Sequence, residues 1–164
     1  MPPAATARRT TLSIPTYTRR PARRLPPLFR GGGGNIYPDT RDDILDGELR
    51  DVDYGTIVLE NSHLRLTIVP SLGGKLWSVF EKRRNREVLY VPDVIKPGIV
   101  GLSGGWIPGG MEFNFPRGHH VETMRPLPCS IVEEGPKRAS ALVRRRCART
   151  GMTMDVRLAL AAGE

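Results

Sequence analysis

The stretch from Leu64 to Glu81, LRLTIVPSLGGKLWSVFE, decides the fold. Leu64, Leu66 and Ile68 alternate with Arg65, Thr67 and Val69, the two-residue period of a strand with one face buried. Pro70 cannot donate to a ladder and ends the run. Leu72-Gly73-Gly74 supplies a tight turn, where glycine adopts positive φ without steric cost. Leu76 to Phe80 reads as the returning strand, and EKRRNR (Glu81–Arg86) as a charged hairpin loop. Val88 to Val91 reads as a further short strand.

The same period extends outward in both directions. Upstream, the β signal begins at Asp53, with Ile57 and Leu59 alternating with Thr56, Val58 and Glu60. Glu60 and Asn61 read as turn formers, and Trp77 as a core residue. Downstream, alternation returns in Ser130–Glu133, Ala139–Arg146 and Met152–Leu160, the last preceded by an Arg149-Thr150-Gly151 turn. No segment of ten or more residues keeps a clean helical period, so the expected class is all-β, an antiparallel β-sandwich. The last strand ends four residues before Glu164 and looks central. A sandwich that stops there is expected to be incomplete, with an apolar face and an open edge that favour association.

Residues 1–34 hold seven arginines and no acid, together with many prolines, and end in Gly31–Gly34. They read as an extended Pro/Arg/Gly-rich arm, with residues 35–164 as the sandwich portion. The formal charge is +8, but the arm leaves 18 of the 25 basic residues against all 17 acidic ones. The arm is read as solvated rather than phosphate-binding, because no nucleic-acid module or aromatic–basic interleaving accompanies it. The glycines lack the strand–helix setting of a phosphate loop. No apolar run reaches the roughly 18 residues of a membrane span. Pro15, Pro21, Pro26 and Pro27 would break a transit-peptide helix, so a cytoplasmic location is the expectation. Two cysteines, Cys129 and Cys147, without a secretory signal read as free thiols.

Residues 92–128 are irregular and gather Trp106, Glu112, Asn114, Arg117, His119 and His120 within fifteen positions. Sugar sites combine an aromatic face for the C–H side of a ring with carboxylates, amides and imidazoles for its hydroxyls. Read as a strand, the segment sends Glu112 and Asn114 to one face and Phe113 and Phe115 to the other. The alternative is that Glu112 and Asn114 brace the loop backbone. His119 suits acid/base work, since an unperturbed imidazole changes charge near neutral pH, and Arg117 suits an anionic group. Adjacent His119 and His120 point apart in a strand, so no metal site is expected with Glu112 and Glu122, and no cofactor.

The opening stretch resembles the start of galactose-mutarotase-like (aldose 1-epimerase-like) domains, a β-supersandwich. Five motifs in order resemble more closely an uncharacterised bacterial domain family with that fold, often fused to C-terminal tetratricopeptide repeats. They are IPTY (Ile14–Tyr17), IYP (Ile36–Pro38), IVLEN (Ile57–Asn61), VIKPGIVGL (Val94–Leu102) and GGWIPGGMEFNFPRGHH (Gly104–His120). The chain departs from that pattern at Gly105, where alanine is usual, at Lys75, where arginine is usual, and at His120, where a small polar residue is usual. The resemblance implies a longer sandwich of which residues 39–164 are the N-terminal half. It implies a carbohydrate-binding or carbohydrate-active domain, with sugar epimerases and glycoside hydrolases as the enzyme classes. It also implies that a catalytic His and Glu come from later strands, so the catalytic residues are unknown here and this stretch alone is expected to be inactive. The parts present would then supply substrate contacts at most, and the residue chemistry of the segment makes Trp106, Glu112, Asn114, Arg117 and His119 the candidates. The competing expectation is a non-catalytic scaffold that packs against helical repeats or a partner.

Overall fold

The computed structural model describes residues 4–19, 45–99, 105–116, 125–147 and 150–163. Within them the chain is all-β and antiparallel, as its alternation predicts. Strands β1 (Thr6–Arg19), β2 (Leu45–Glu60), β3 (Leu64–Val69), β4 (Lys75–Glu81) and β5 (Arg86–Glu87) form one sheet in sequence order. Strands β6 (Gly98–Ile99) and β7 (Gly105–Trp106) make a short ladder. Strands β8 (Cys129–Gly135), β9 (Arg138–Arg146) and β10 (Thr153–Ala161) form a three-stranded sheet in the order β10-β9-β8. No described helix is long and apolar enough to cross a membrane.

The expected arm is corrected over Thr6–Arg19, which is a 14-residue strand. It pairs with β2 from Thr6↔Glu60 to Tyr17↔Leu49, with a register shift before Arg19↔Leu45. Its arginines and prolines suggested a solvated segment, but Ala7 and Ile14 are buried on its two opposite faces. Pro15 is accommodated because β1 is an edge strand, where a missing N–H costs little. The outer rim of β1 is met by a different segment: Ile95 N–H donates to Pro15 O (2.8 Å) and Tyr17 N–H to Ile95 O (2.9 Å). Lys96 Nζ lies 5.4 Å from the centre of the Tyr17 ring. Two of the five motifs, IPTY and VIKPG, are therefore one contact seen from both sides.

Strand β2 starts at Leu45, eight residues before Asp53. β3 pairs only with Ile57–Glu60, so the earlier part of β2 forms a two-stranded ribbon with β1. Residues 47–50 of that ribbon are exposed, and no apolar alternation marks them. The strand expected at Val88–Val91 is also corrected: the hairpin closes at Arg86–Glu87 through Asn85 at φ 50°. The short charged turn leaves β5 only two residues long, and the chain then turns away.

Alternation sorts the two faces of the five-stranded sheet. Ile57, Leu59, Leu66, Ile68 and Leu76 meet Ala139, Ala141, Val143 and Leu160 of the three-stranded sheet. On the other face Ile14, Tyr54, Val69 and Trp77 pack under Ile95 and Ile107. Trp77 is 1% exposed, a core residue as expected. Asn61 closes the β2–β3 turn: its Oδ1 accepts from the N–H of His63 (2.9 Å) and Leu64 (2.8 Å). Its Nδ2 donates to Ala161 O on β10 (2.8 Å), which joins the two sheets at that corner.

The β3–β4 connection is a short 3-10 turn, Pro70–Leu72, followed by Gly73 (φ 71°) and Gly74 (φ 64°). A Cβ on Gly74 would lie 2.4 Å from Val143 Cγ1, so the turn and β9 approach through the missing side chain. Gly74→Ala is expected to cost about 1–3 kcal/mol, from positive φ and the clash together. Gly55→Ala, where the added carbon has open space, serves as the neutral control. Urea unfolding of both variants checks this.

Candidate functional site

Lys75 opens β4 and is buried, at 2% exposure. Its Nζ donates to Ile107 O (2.6 Å) and Gly109 O (2.9 Å). Burial pushes its pKa from 10.5 down to about 8, and the nearby Glu112 carboxylate opposes that shift. Sequence reading noted Lys75 only as a departure from an arginine and assigned it no role. Its partners are backbone carbonyls thirty or more residues away, which no local pattern reveals.

The segment bound by Lys75 is closed tightly onto β4. Leu76 and Met111 exchange both backbone hydrogen bonds (2.8 and 3.1 Å), and Gly110 N–H donates to Tyr90 O (2.8 Å). Gly109 (φ 88°) and Gly110 (φ 63°) both require the left-handed region. A Cβ on Gly110 would stand 2.6 Å from Leu76 O, and one on Gly109 would stand 2.3 Å from Pro92 Cδ. The PGG run of the longest motif is thus a close approach of Gly110 to the β4 main chain and of Gly109 to the Pro92 ring, which only glycine permits.

Trp106 lies on β7 opposite Gly98 and is half-buried. The strand expected through Glu112–Phe115 is corrected: only Met111 pairs, in an isolated bridge, and residues 112–115 are irregular. Beyond Met111 no described residue of the segment pairs with β4. Phe115 is buried and Asn114 exposed, while Glu112 and Phe113 are half-buried. Phe113 packs against the inter-sheet core, and Glu112 stands near enough to Lys75 to act on its charge. Arg117, His119 and His120 lie outside the described residues, as do Gly31–Gly34.

Beside this segment the outer face of the sheet carries a cleft of about 410 Å3. Thr10, Thr56, Thr67 and Ser78 bring hydroxyls to it from four adjacent strands. Thr10 pairs with Thr56, and Thr67 pairs with both Val58 and Ser78. Arg8, Arg65, Glu87 and Asp93 also line the cleft. None of these was singled out from sequence as a binding group. The signal was present in the polar members of the alternation, which reads the same whether a face meets solvent or a ligand.

Lys75 gives a pH signature. Its folded pKa lies below its unfolded value, so between pH 8 and 10.5 the unfolded state holds more protons. The contribution of Lys75 to stability therefore rises with pH across that window. Urea unfolding at pH 7.5 and pH 10 is expected to show wild type gaining on Lys75→Met at the higher pH. Burial also pushes the Cys129 thiol up to about 11, which works in the opposite direction, so the comparison is made in a Cys129→Ala background.

A crystal structure of a TPR-domain containing protein from Parabacteroides distasonis superposes on the whole chain with a TM-score of 0.84 at 26% sequence identity. This chain spans 28% of the length of that protein. Residues 34–164 match a family model described as a domain of unknown function, DUF5107. The match takes in most of the sequence, including the Lys75-bound segment and every strand from β2 onward, and on it the chain belongs to the DUF5107 family.

Proposed function

We propose that this chain is part of a carbohydrate-holding domain with a galactose-mutarotase-like sandwich. The carrying observation is the aromatic–polar segment Trp106–Pro116, held against β4 by Lys75 and two glycines at positive φ. A loop fixed this firmly costs little further ordering on binding. In this reading Trp106 meets the C–H face of a sugar ring, and Glu112 and Asn114 take its hydroxyls. Arg117 and His119 complete the contacts. Epimerase or glycosidase chemistry in the full-length protein would draw its acid and base from other strands. The relative from Parabacteroides, described as TPR-domain containing, supports a repeat region in a longer parent. It equally supports a second reading, in which the sandwich is a scaffold that packs against such repeats.

The two readings separate in the full-length protein. Thermal shift with a panel of mono- and oligosaccharides is expected to find a stabilising sugar, with the shift lost in Glu112→Ala and reduced in Asn114→Ala. No shift with any sugar, together with a partner recovered equally by wild type and Glu112→Ala, would favour the scaffold.

A further inference from the structure

The cleft on the outer face of the five-stranded sheet has its own chemistry. Its volume of about 410 Å3 falls within the roughly 300–1,000 Å3 typical of small-molecule sites. Of the hydroxyls on Thr10, Thr56, Thr67 and Ser78, two are used internally: Thr56 Oγ1 donates to Thr10 O (3.2 Å), and Ser78 Oγ donates to the Glu87 carboxylate (2.9 Å). The side chains of Thr10 and Thr67 make no hydrogen bond among the described residues. Thr67 is only 9% exposed. The buried side-chain oxygen without a partner among these residues is Ser71 Oγ, so Thr67 Oγ1 opens onto the cleft rather than into the core. Thr67 pairs with Val58 and Ser78 and sits two residues before Val69 in the same strand. Valine has nearly the same shape and is also a strand-favouring residue, so strand formation by itself gives no reason for a hydroxyl there.

The charges lining the cleft balance. Arg8 is held by Glu60 at 2.7 Å, and the Arg65 guanidinium lies 4.7 Å from the centre of the Phe80 ring. Glu87 holds Ser78, and Asp93 has no ion pair among the described residues. Two guanidiniums and two carboxylates give the site no net sign, so a phosphate or a carboxylate would meet like charge beside its partner. Hydroxyls both donate and accept, and satisfy threonine, carboxylate and guanidinium together. Leu12, Val58 and Val91 offer apolar surface for C–H groups.

The geometry points to this cleft as a binding site for an uncharged, hydroxyl-rich sugar unit, in addition to the Trp106–Pro116 segment. The inference rests on the carbohydrate reading and gives that reading a second set of contacts and a charge preference. Isothermal titration of the full-length protein tests it with methyl glucoside, methyl galactoside and maltotriose, and with glucuronate and inorganic phosphate as the charged arms. A neutral sugar is expected to bind more tightly than either anion. Thr67→Val and Asp93→Asn are each expected to weaken it by about 2–10-fold, the span of one hydrogen bond. The melting temperature of Thr67→Val is expected to be unchanged or raised, which a structural hydroxyl would not allow. Wild-type affinity in both variants, or tighter binding of glucuronate or phosphate, overturns the cleft. Loss of binding in Glu112→Ala with full retention in the two cleft variants overturns the cleft alone and leaves the loop reading intact. No binding of any sugar removes both.

Discussion

The period-two sorting of side chains along β1 to β4 is the constraint on which the rest of the molecule depends. One set of residues, with Ile57, Leu59, Leu66 and Ile68 at its centre, must be covered by a second sheet. The intervening set carries Tyr54 and Val69, which must also be covered, and Thr56, Thr67 and Arg65, which need not be. The chain solves the second problem only in part. It lays the segment carrying Ile95 and Ile107 over one end of that face and leaves the other end as a polar cleft. A five-stranded sheet buried on one side and half-buried on the other is therefore the frame that places both candidate binding features.

The central hairpin was legible because local rules and tertiary demand agree there. Pro70, Gly73 and Gly74 end and reverse the chain as turn chemistry requires, and Gly74 is additionally needed where Val143 approaches. Strands β8 to β10 were legible for the same reason, since each sets an apolar face against the core. Strand β1 was not. Its apolar positions are spread between two separate clusters, and its exposed start is arginine-rich, so it lacks a one-sided pattern. The first half of β2 was missed because its only ladder partner is β1 and residues 47–50 are exposed on both sides.

The site was legible as a composition rather than as a geometry. The cluster Trp106, Glu112 and Asn114 was visible as residue types, but its fixing device was not. Lys75 bonds to carbonyls of a segment distant in sequence, and such a contact exists only after the chain has folded. The glycines at 109 and 110 could have been read as turn residues. That they allow two stretches of backbone to touch is a tertiary fact. The motifs that carried the resemblance divide accordingly: IPTY and VIKPG record a docking of main chain, IVLEN ends in the Asn61 corner, and PGG records the close approach.

The position of β1 has a practical meaning for how the unit is delimited. The family match begins at residue 34, whereas β1 ends at Arg19 and sends Ala7 into one core and Ile14 into the other. A recombinant boundary drawn at the start of that match would strip off the outermost strand of the sheet. It would bare a 16-residue β2 as a new edge, rich in unsatisfied main-chain donors and acceptors, and would remove the strand against which Ile95 docks. The unit that folds is thus longer at its N-terminal side than the unit that sequence comparison outlines.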